Sequence, residues 1–188
     1  MPFTTNTHKE LFQTLRDHRA REISQENRRS AAVLIPIIHD KNGQFDRLVY
    51  TLRSRHLKKH PSQISFPGGM IERGESPWQA ALRESHEEIG LLPDSVTLLG
   101  RINDVTSPQG FHVQCYVGSC SEFEPKLNEE EVERLVIVPR EELFDTSLHE
   151  TQQIGDRHLH FFHFRQGTVW GVTGRITYDL RQILRHCA

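Results

Sequence analysis

A chain of 188 residues, 36% of them hydrophobic, is long enough for one domain with a substantial core. Its 23 Lys and Arg against 25 Asp and Glu leave a formal net charge of −2, which argues against a dedicated nucleic-acid coat. No apolar run approaches the ~20 residues of a membrane span and the first residues, MPFTTNTHKELFQTLRDHR, lack the apolar centre of a signal peptide, so a cytoplasmic protein with no membrane or nucleic-acid partner is expected.

Residues 8 to 20 read as a helix with Leu11, Leu15 and Phe12 on its apolar side, followed by a charged stretch up to Arg29. Residues 1–29 thus form an N-terminal helical extension to a single domain, 1–188. AAVLIPII is a buried strand in which Pro36, lacking an N–H, suggests a sheet edge or a bulge. Asp40 to Gly43 is a turn, and DRLVYTLR is the next strand. That strand enters a loop where Arg53, Arg55, Lys58 and Lys59 are interleaved with His56 and His60. Arginine and lysine make strong charge-assisted bonds to phosphate, so the loop can grip an anion. Taken alone, it reads rather as a solvated basic loop with no ligand, or one that touches nucleic acid. It ends in the turn Pro67-Gly68-Gly69.

The next helix can be read residue by residue. Ser76 is a good N-cap, Pro77 suits the first helical position, and Gln79 completes a capping box. Gly90 is a natural stop, with Pro93 beyond it. At ~100° per residue Trp78, Leu82, Ser85 and Ile89 share one stripe, with Ala81 at its edge. Glu84, Glu87 and Glu88 fall together on a different face, where positions three and four apart are neighbours. Like charges this close repel, and a hard divalent cation with oxygen ligands would neutralise them. The competing interpretation is an amphipathic helix with ordinary surface glutamates.

Downstream, VTLLGRI and FHVQCYVG are strands joined by a Pro-Gln-Gly turn, with Cys115 a small core residue. Cys115, Cys120 and Cys187 form no CxxC and no disulfide framework. The acidic run Asn128-Glu129-Glu130-Glu131 precedes a further strand, ERLVIVP, and a short helix at EELF. HLHFFHF alternates as a strand, with His158 and His160 on one face and His163 on the other; no zinc-type spacing accompanies them. Trp170 is expected in the core, although it can also line a pocket. The last helix runs from Val172 to His186, with Ile176, Leu180, Ile183 and Leu184 inward. Helices and strands interleaved in this way suit an α/β fold, a layered sheet between helices.

Residues 69–91 resemble the Nudix box, G-x5-E-x7-R-E-U-x-E-E-x-G-U with U apolar, through Gly69, Glu75, Arg83, Glu84, Glu87, Glu88, Gly90 and Leu91. Ser85 stands at an apolar position, where its hydroxyl can return a hydrogen bond to the preceding turn. The resemblance implies a Nudix α/β/α sandwich with a mixed sheet between helices. It also implies hydrolysis of a nucleoside diphosphate-linked substrate with Mg²⁺ or Mn²⁺ and an activated water. Glu84, Glu87 and Glu88 would be the metal ligands, Glu84 or Glu131 the general base, and Arg83 part of the catalytic set. Glu75 would brace the box by pairing with Arg83, and Gly90 would be structural.

The segment upstream is similar to the signature of the coenzyme A diphosphatase branch, T-x-R-[SA]-x3-R-x3-G-x3-F-P-G-G, through Thr51, Arg53, Ser54, Phe66, Pro67, Gly68 and Gly69. Tyr50, Lys58 and Ser62 depart from it, standing where leucine, arginine and glycine are usual. Lys58 keeps the charge but loses the arginine fork. This resemblance implies substrate contacts at Arg53, Lys58, Phe66, Gly68 and Gly69, a coenzyme A-like small-molecule substrate, and 3′,5′-ADP and 4′-phosphopantetheine as products. Related enzymes carry an N-x-x-E-V pattern, which selects Glu131. A Nudix hydrolase of an oxidised nucleotide or nucleotide sugar, and a catalytically silent metabolite-binding domain, are the alternatives. A homodimer is left open beside a monomer.

Overall fold

In β1 (Ser30–His39) Leu34, Ile35 and Ile37 are all inaccessible to solvent, and a strand apolar on both faces belongs in the middle of a sheet. The computed structural model, which describes residues 8–23, 29–155 and 157–185, places it there. β1 runs parallel to β6 (His112–Cys120) on one side, and antiparallel to β2 (Phe45–Arg53) and β4 (Gly68–Met70) on the other. β5 (Thr97–Thr106) pairs β6, while β3 (Ile64–Ser65) and β7 (Val132–Pro139) pair β2, completing a mixed sheet of seven strands.

Pro36 therefore lies neither on an edge strand nor at the register shift of β1, which falls between Ile38 and His39. On its β2 side β1 pairs with β4 over Ala31–Val33 and with β2 only from Ile37 onward. Alternate residues of a strand aim their N–H groups to the same side, and Leu34 donates to Pro67 O across this gap at 2.9 Å. Pro36 sits where β1 and β2 splay apart, so its missing donor breaks no ladder bond.

Both faces of the sheet are covered. α1 (His8–Asp17) and α4 (Gly171–Arg185) bury Leu11, Leu15, Ile176, Leu180 and Leu184 in the larger core cluster. α2 (Pro77–Ile89) packs Ala80, Ala81 and Ile89 against Ala32 and Leu34 on the opposite face. This is the expected sandwich. The N-terminal segment is tied down by the buried Asp104, which accepts bonds from Arg101 (2.7 Å), His112 Nε2 (2.7 Å) and the backbone N–H of Ile23 (3.2 Å). α3 (Arg140–Phe144) follows β7 and leads into a second sheet.

That sheet has three strands, β8 (His149–Ile154), β9 (Arg157–Phe164) and β10 (Gly167–Val169). β8, HETQQI, is almost wholly polar and exposed, with no apolar alternation to mark it in the sequence. Along β9 the expected alternation holds, His160 being buried and His163 exposed. Trp170, by contrast, is 45% exposed and stacks on Phe161 rather than entering the core. The end of the last helix at His186, like Cys187, lies outside the described residues.

Arg181 is buried and donates to His149 Nδ1 at 2.7 Å; His149 Nε2 lies 3.1 Å from His160 Nδ1. A guanidinium only donates, so the chain runs Arg181 to His149 to His160 and requires both imidazoles neutral. Burial, reinforced by Arg181 and His160, pushes His149 down to about 4, and burial with Arg175 lowers His160. Unfolded histidine titrates near ~6.5, so the unfolded chain binds more protons below that pH and folding weakens as pH falls from there toward 4. Urea unfolding at pH 7, 6 and 5 checks this: His149→Gln should flatten the fall in stability, and an unchanged slope would mean that the pair is charged in the native state.

Candidate active site

The box helix starts and stops where its sequence dictates. Ser76 Oγ accepts from Gln79 N at 3.2 Å while Gln79 Oε1 accepts from Ser76 N at 2.9 Å, and Pro77 occupies the first turn. Gly90 ends α2 at φ 72°, and a side chain there would also strike Lys126, so glycine is needed twice over. Ser85, the departure from the box, is buried and donates to Ala81 O at 2.7 Å.

The carboxylates do not all share one exposed face. Glu87 is 55% exposed, whereas Glu88 is only 3% exposed and lies on the packed side with Ala81 and Ser85. Glu84 lies between, against the β4 turn, where any side chain at Gly69 would run into its carboxylate. Glu88 Oε2 accepts from Gly68 N at 3.3 Å, so that N–H is engaged by the helix. The expected approach of backbone at Gly69 is thus toward Glu84.

Arg83 ties these parts together. Its Nε and Nη2 fork onto Glu75 at 2.9 and 3.1 Å, its Nη1 reaches Glu84 and Glu87 at 3.0 and 3.1 Å, and Nη2 also meets Met70 O at 3.1 Å. Glu75 accepts a further bond from Glu72 N, and the fork holds its carboxyl below the ordinary carboxylate range. The Glu75–Arg83 brace is as expected. Every N–H group of Arg83, expected in the catalytic set, is matched to a protein acceptor, Glu84 among them.

Glu131 reaches the same place from another element. Lys126 N and Asn128 N donate to the last carbonyls of α2, Ile89 O and Glu88 O, at 3.0 Å each. Asn128 O in turn accepts from Glu131 N and Val132 N at 2.9 and 2.8 Å, and Ser54 N donates to Glu131 O at 2.8 Å. Asn128 was not singled out as a site residue, although the N-x-x-E-V spacing contains it. Its turn brings Glu131 close enough for its charge, with that of Glu84, to act on Glu88.

The electrostatics follow from burial and crowding. Burial pushes the Glu88 carboxyl up to about 8, with repulsion from Glu84 and Glu131 adding to it against the pull of Arg53 and the Gly68 N–H. Glu84 is also raised, first by burial, then by Glu87 and Glu131, against the hold of Arg83. Arg53 Nε is buried with no hydrogen-bond partner among the described residues. Lys58 is exposed on the loop, and Arg55 makes an ion pair with Glu133 at 3.5 Å. Phe66, expected at the substrate, is 3% exposed and stacks on Tyr50 at 4.3 Å. Ser62 holds a left-handed φ of 55°, the conformation for which glycine is usual at this position.

A divalent cation suits the hard carboxylate oxygens of Glu84, Glu87, Glu88 and Glu131, whose repulsion adds to the burial of Glu84 and Glu88. Among the described residues no three His, Cys, Asp or Glu side chains are gathered into a ready ligand shell. Glu84 and Glu87 both accept from Arg83 Nη1, at 3.0 and 3.1 Å.

The model of the NUDIX domain family matches residues 28–161. The chain belongs to the Nudix family. It is 35% identical over 175 residues to an uncharacterized Nudix hydrolase NudL of Enterobacter sp. (strain 638), covering 90% of this chain and 88% of that one. It is also 35% identical over 160 residues to the same-named protein of Pectobacterium atrosepticum, covering 81% of each. Among solved structures, a MutT protein from Methanosarcina mazei Go1 superposes with a TM-score of 0.55 at 14% identity over 85% of this chain and 96% of that one. A MutT/nudix family protein from Enterococcus faecalis gives 0.54 at 14% over 94% and 69%. Those two show the fold alone. The chain is a NudL-type Nudix hydrolase of a nucleoside diphosphate-linked substrate, in a family that generally uses divalent metal ions. No helix among the described residues is long and apolar enough to cross a membrane.

Two outcomes follow from this Nudix site. Glu88→Gln removes a charge that burial opposes, so above pH 8 it should raise the melting temperature of the metal-free protein while abolishing the stabilisation that magnesium or manganese gives the parent; calorimetry with and without chelator reads both. Ser62→Gly relieves a left-handed backbone and should stabilise by about 0.5–1 kcal/mol in urea melts.

Proposed function

We propose that this Nudix hydrolase cleaves the diphosphate of coenzyme A or a derivative, yielding 3′,5′-ADP and 4′-phosphopantetheine, with Mg²⁺ or Mn²⁺. The observation that carries the reading is the continuity of the Arg53–Gly69 segment with the acidic helix. Arg53 acts on Glu88, the basic loop follows it, and the chain returns through Gly68 and Gly69 to Glu88 and Glu84. Cations for a phosphate-rich ligand thus adjoin carboxylates for a metal. Coenzyme A has a 3′-phosphate apart from its diphosphate, and a loop with several separate cations suits both.

A divalent cation held by Glu84 and Glu88 would neutralise the diphosphate and acidify a water. Arg83 fixes Glu84, and the Gly68 N–H orients Glu88. Arg53 and Lys58 hold the phosphates. Glu131 lies outside the helix and is free of the Arg83 brace, so it accepts the proton as water oxygen bonds to phosphorus. The P–O bond of the bridge breaks, and its electron pair leaves with the other phosphate.

A substrate panel with Mg²⁺ or Mn²⁺ tests the reading. Coenzyme A should be cleaved to the two products above, and Glu84→Gln and Glu88→Gln should each slow cleavage by more than about tenfold, roughly 1.4 kcal/mol of barrier. Glu131→Gln should lower kcat with little change in KM. Lys58→Ala should raise KM more for coenzyme A than for its analogue without the 3′-phosphate. A preference for nucleoside triphosphates or nucleotide sugars would move the enzyme to another branch, and binding without cleavage would make it a metabolite sensor.

A further inference from the structure

The Gly68 N–H that holds Glu88 is connected to the far side of the sheet. Gly68 and Gly69 have no side chains and Pro67 has only its ring, so Phe66 is the one long side chain by which this turn can be gripped. Proline fixes its own φ and restricts the residue before it, so the Phe66 ring and the turn move as one piece. β1 limits the other side: Leu34 N donates to Pro67 O at 2.9 Å, and a Cβ at Gly68 would strike the backbone of Ala32 and Val33. Phe66 stacks on Tyr50 with ring planes 23° apart, and Phe164 of β9 flanks Tyr50 at 6.2 Å. Ring pairs are found over a broad range of offsets, whereas a hydrogen bond weakens steeply out of line. The directional contact is at the other end of Tyr50. Its hydroxyl lies 3.1 Å from Thr177 Oγ1 on α4, and both residues are inaccessible to solvent. Burial pushes the phenol far above its ordinary range, so the hydroxyl keeps its proton. A buried hydroxyl left without a partner is costly, and the pair therefore pins the Tyr50 ring to α4.

We infer that Tyr50 and Thr177 are positioning residues for the metal site: through Phe66 they set the place of the Gly68 N–H, and with it the Glu88 carboxylate. Thr177, Tyr50 and Phe66 lie with α4 on one face of the sheet, and Glu88 lies on α2 on the other. The link crosses where β1 and β2 separate and the turn passes between them. Neither hydroxyl is exposed, so neither touches the substrate. Leucine, usual at position 50 in the coenzyme A diphosphatase branch, has neither ring nor hydroxyl, and the link therefore sets this chain apart. The inference rests on Glu88 as a metal ligand and not on the identity of the substrate.

The test is Thr177→Val in the full chain, which keeps the shape of the side chain and removes its hydroxyl. Thr177→Ser is the rescue, and Leu184→Val, two turns along α4 in the same core, controls for general loosening. Three quantities are measured: the Gly68 amide resonance of the metal-free protein, Mn²⁺ affinity by calorimetry, and kcat and KM for coenzyme A. Thr177→Val should displace the Gly68 resonance in the direction that Glu88→Gln does, weaken Mn²⁺ binding by at least about threefold, and lower kcat with KM unchanged. Thr177→Ser should restore all three, and Leu184→Val should leave them near the parent values. Tyr50→Phe keeps the ring stack and loses the same hydrogen bond, so it should repeat the result and decides the matter if Thr177→Val folds poorly. A Gly68 resonance and Mn²⁺ affinity unchanged in both variants, or altered as much by Leu184→Val, would overturn the inference. The resonance and the affinity need no turnover, so they are read even if coenzyme A is not cleaved. A parent protein that binds no Mn²⁺ would instead remove the metal site itself, and this inference with it.

Discussion

The arrangement of this protein turns on carboxylates placed where water cannot fully solvate them. Glu88 is buried at the back of α2 and Glu84 is largely buried against β4; burial raises both carboxyls, and the charge of Glu84 raises Glu88 further. A fold that only had to be stable would place leucine at Glu88. The compensations that exist are partial: a single N–H from Gly68, the more distant charge of Arg53, and one arm of Arg83. Buried charge without full pairing is retained where function uses it, and a carboxylate cluster short of positive charge is what a divalent cation requires.

The rest of the molecule can be understood as holding that cluster in place. β1 and β2 separate after a short pairing, and the chain from β3 to β4 passes through the opening, bringing Gly68 and Gly69 under α2. Pro36 is compatible with the opening because no partner strand asks for its N–H. On the other flank, Asn128 stitches the β7 approach to the end of α2 and carries Glu131 with it. The Glu75–Arg83 fork then sets the Glu84 side chain from the exposed side. Three separate stretches of chain meet at one point, and each is fixed by backbone bonds rather than by side-chain packing alone.

What was legible in the sequence was what neighbours in sequence decide. The capping box, the glycine stop, the Ser85 back-bond and the Glu75–Arg83 brace are contacts within one helix or its adjoining loop, and each is found. Properties set by distant segments were not. Whether Glu88 faces solvent depends on β1 and the β4 turn, which helical periodicity does not contain. Phe66 belongs to a motif shared with coenzyme A hydrolases, and its burial against Tyr50 became visible only once β2 and β3 were paired. Trp170 read as a core residue on size alone, but the neighbouring β10 ends there and leaves it uncovered. β8 has no apolar alternation because only its pairing with β9, not a buried face, makes it a strand.

The basic loop and the acidic helix are different electrostatic environments, and this bears on how a phosphate-rich substrate would be handled. Lys58, Lys59 and Arg55 are exposed, so their interactions are screened within about 8–10 Å at physiological salt and each contributes little fixed affinity. Arg53, with an Nε buried and unpaired among the described residues and a direct effect on Glu88, acts at lower dielectric, where a bond to phosphate is stronger. In the reading proposed above, the outer cations guide the ligand and distinguish its phosphates, while Arg53 alone is placed to bind the group undergoing reaction. Phosphate binding at Arg53 would also withdraw part of the positive field that now restrains Glu88. Substrate would then raise the demand for a cation at that carboxylate, making diphosphate and metal binding mutually supportive through one buried arginine.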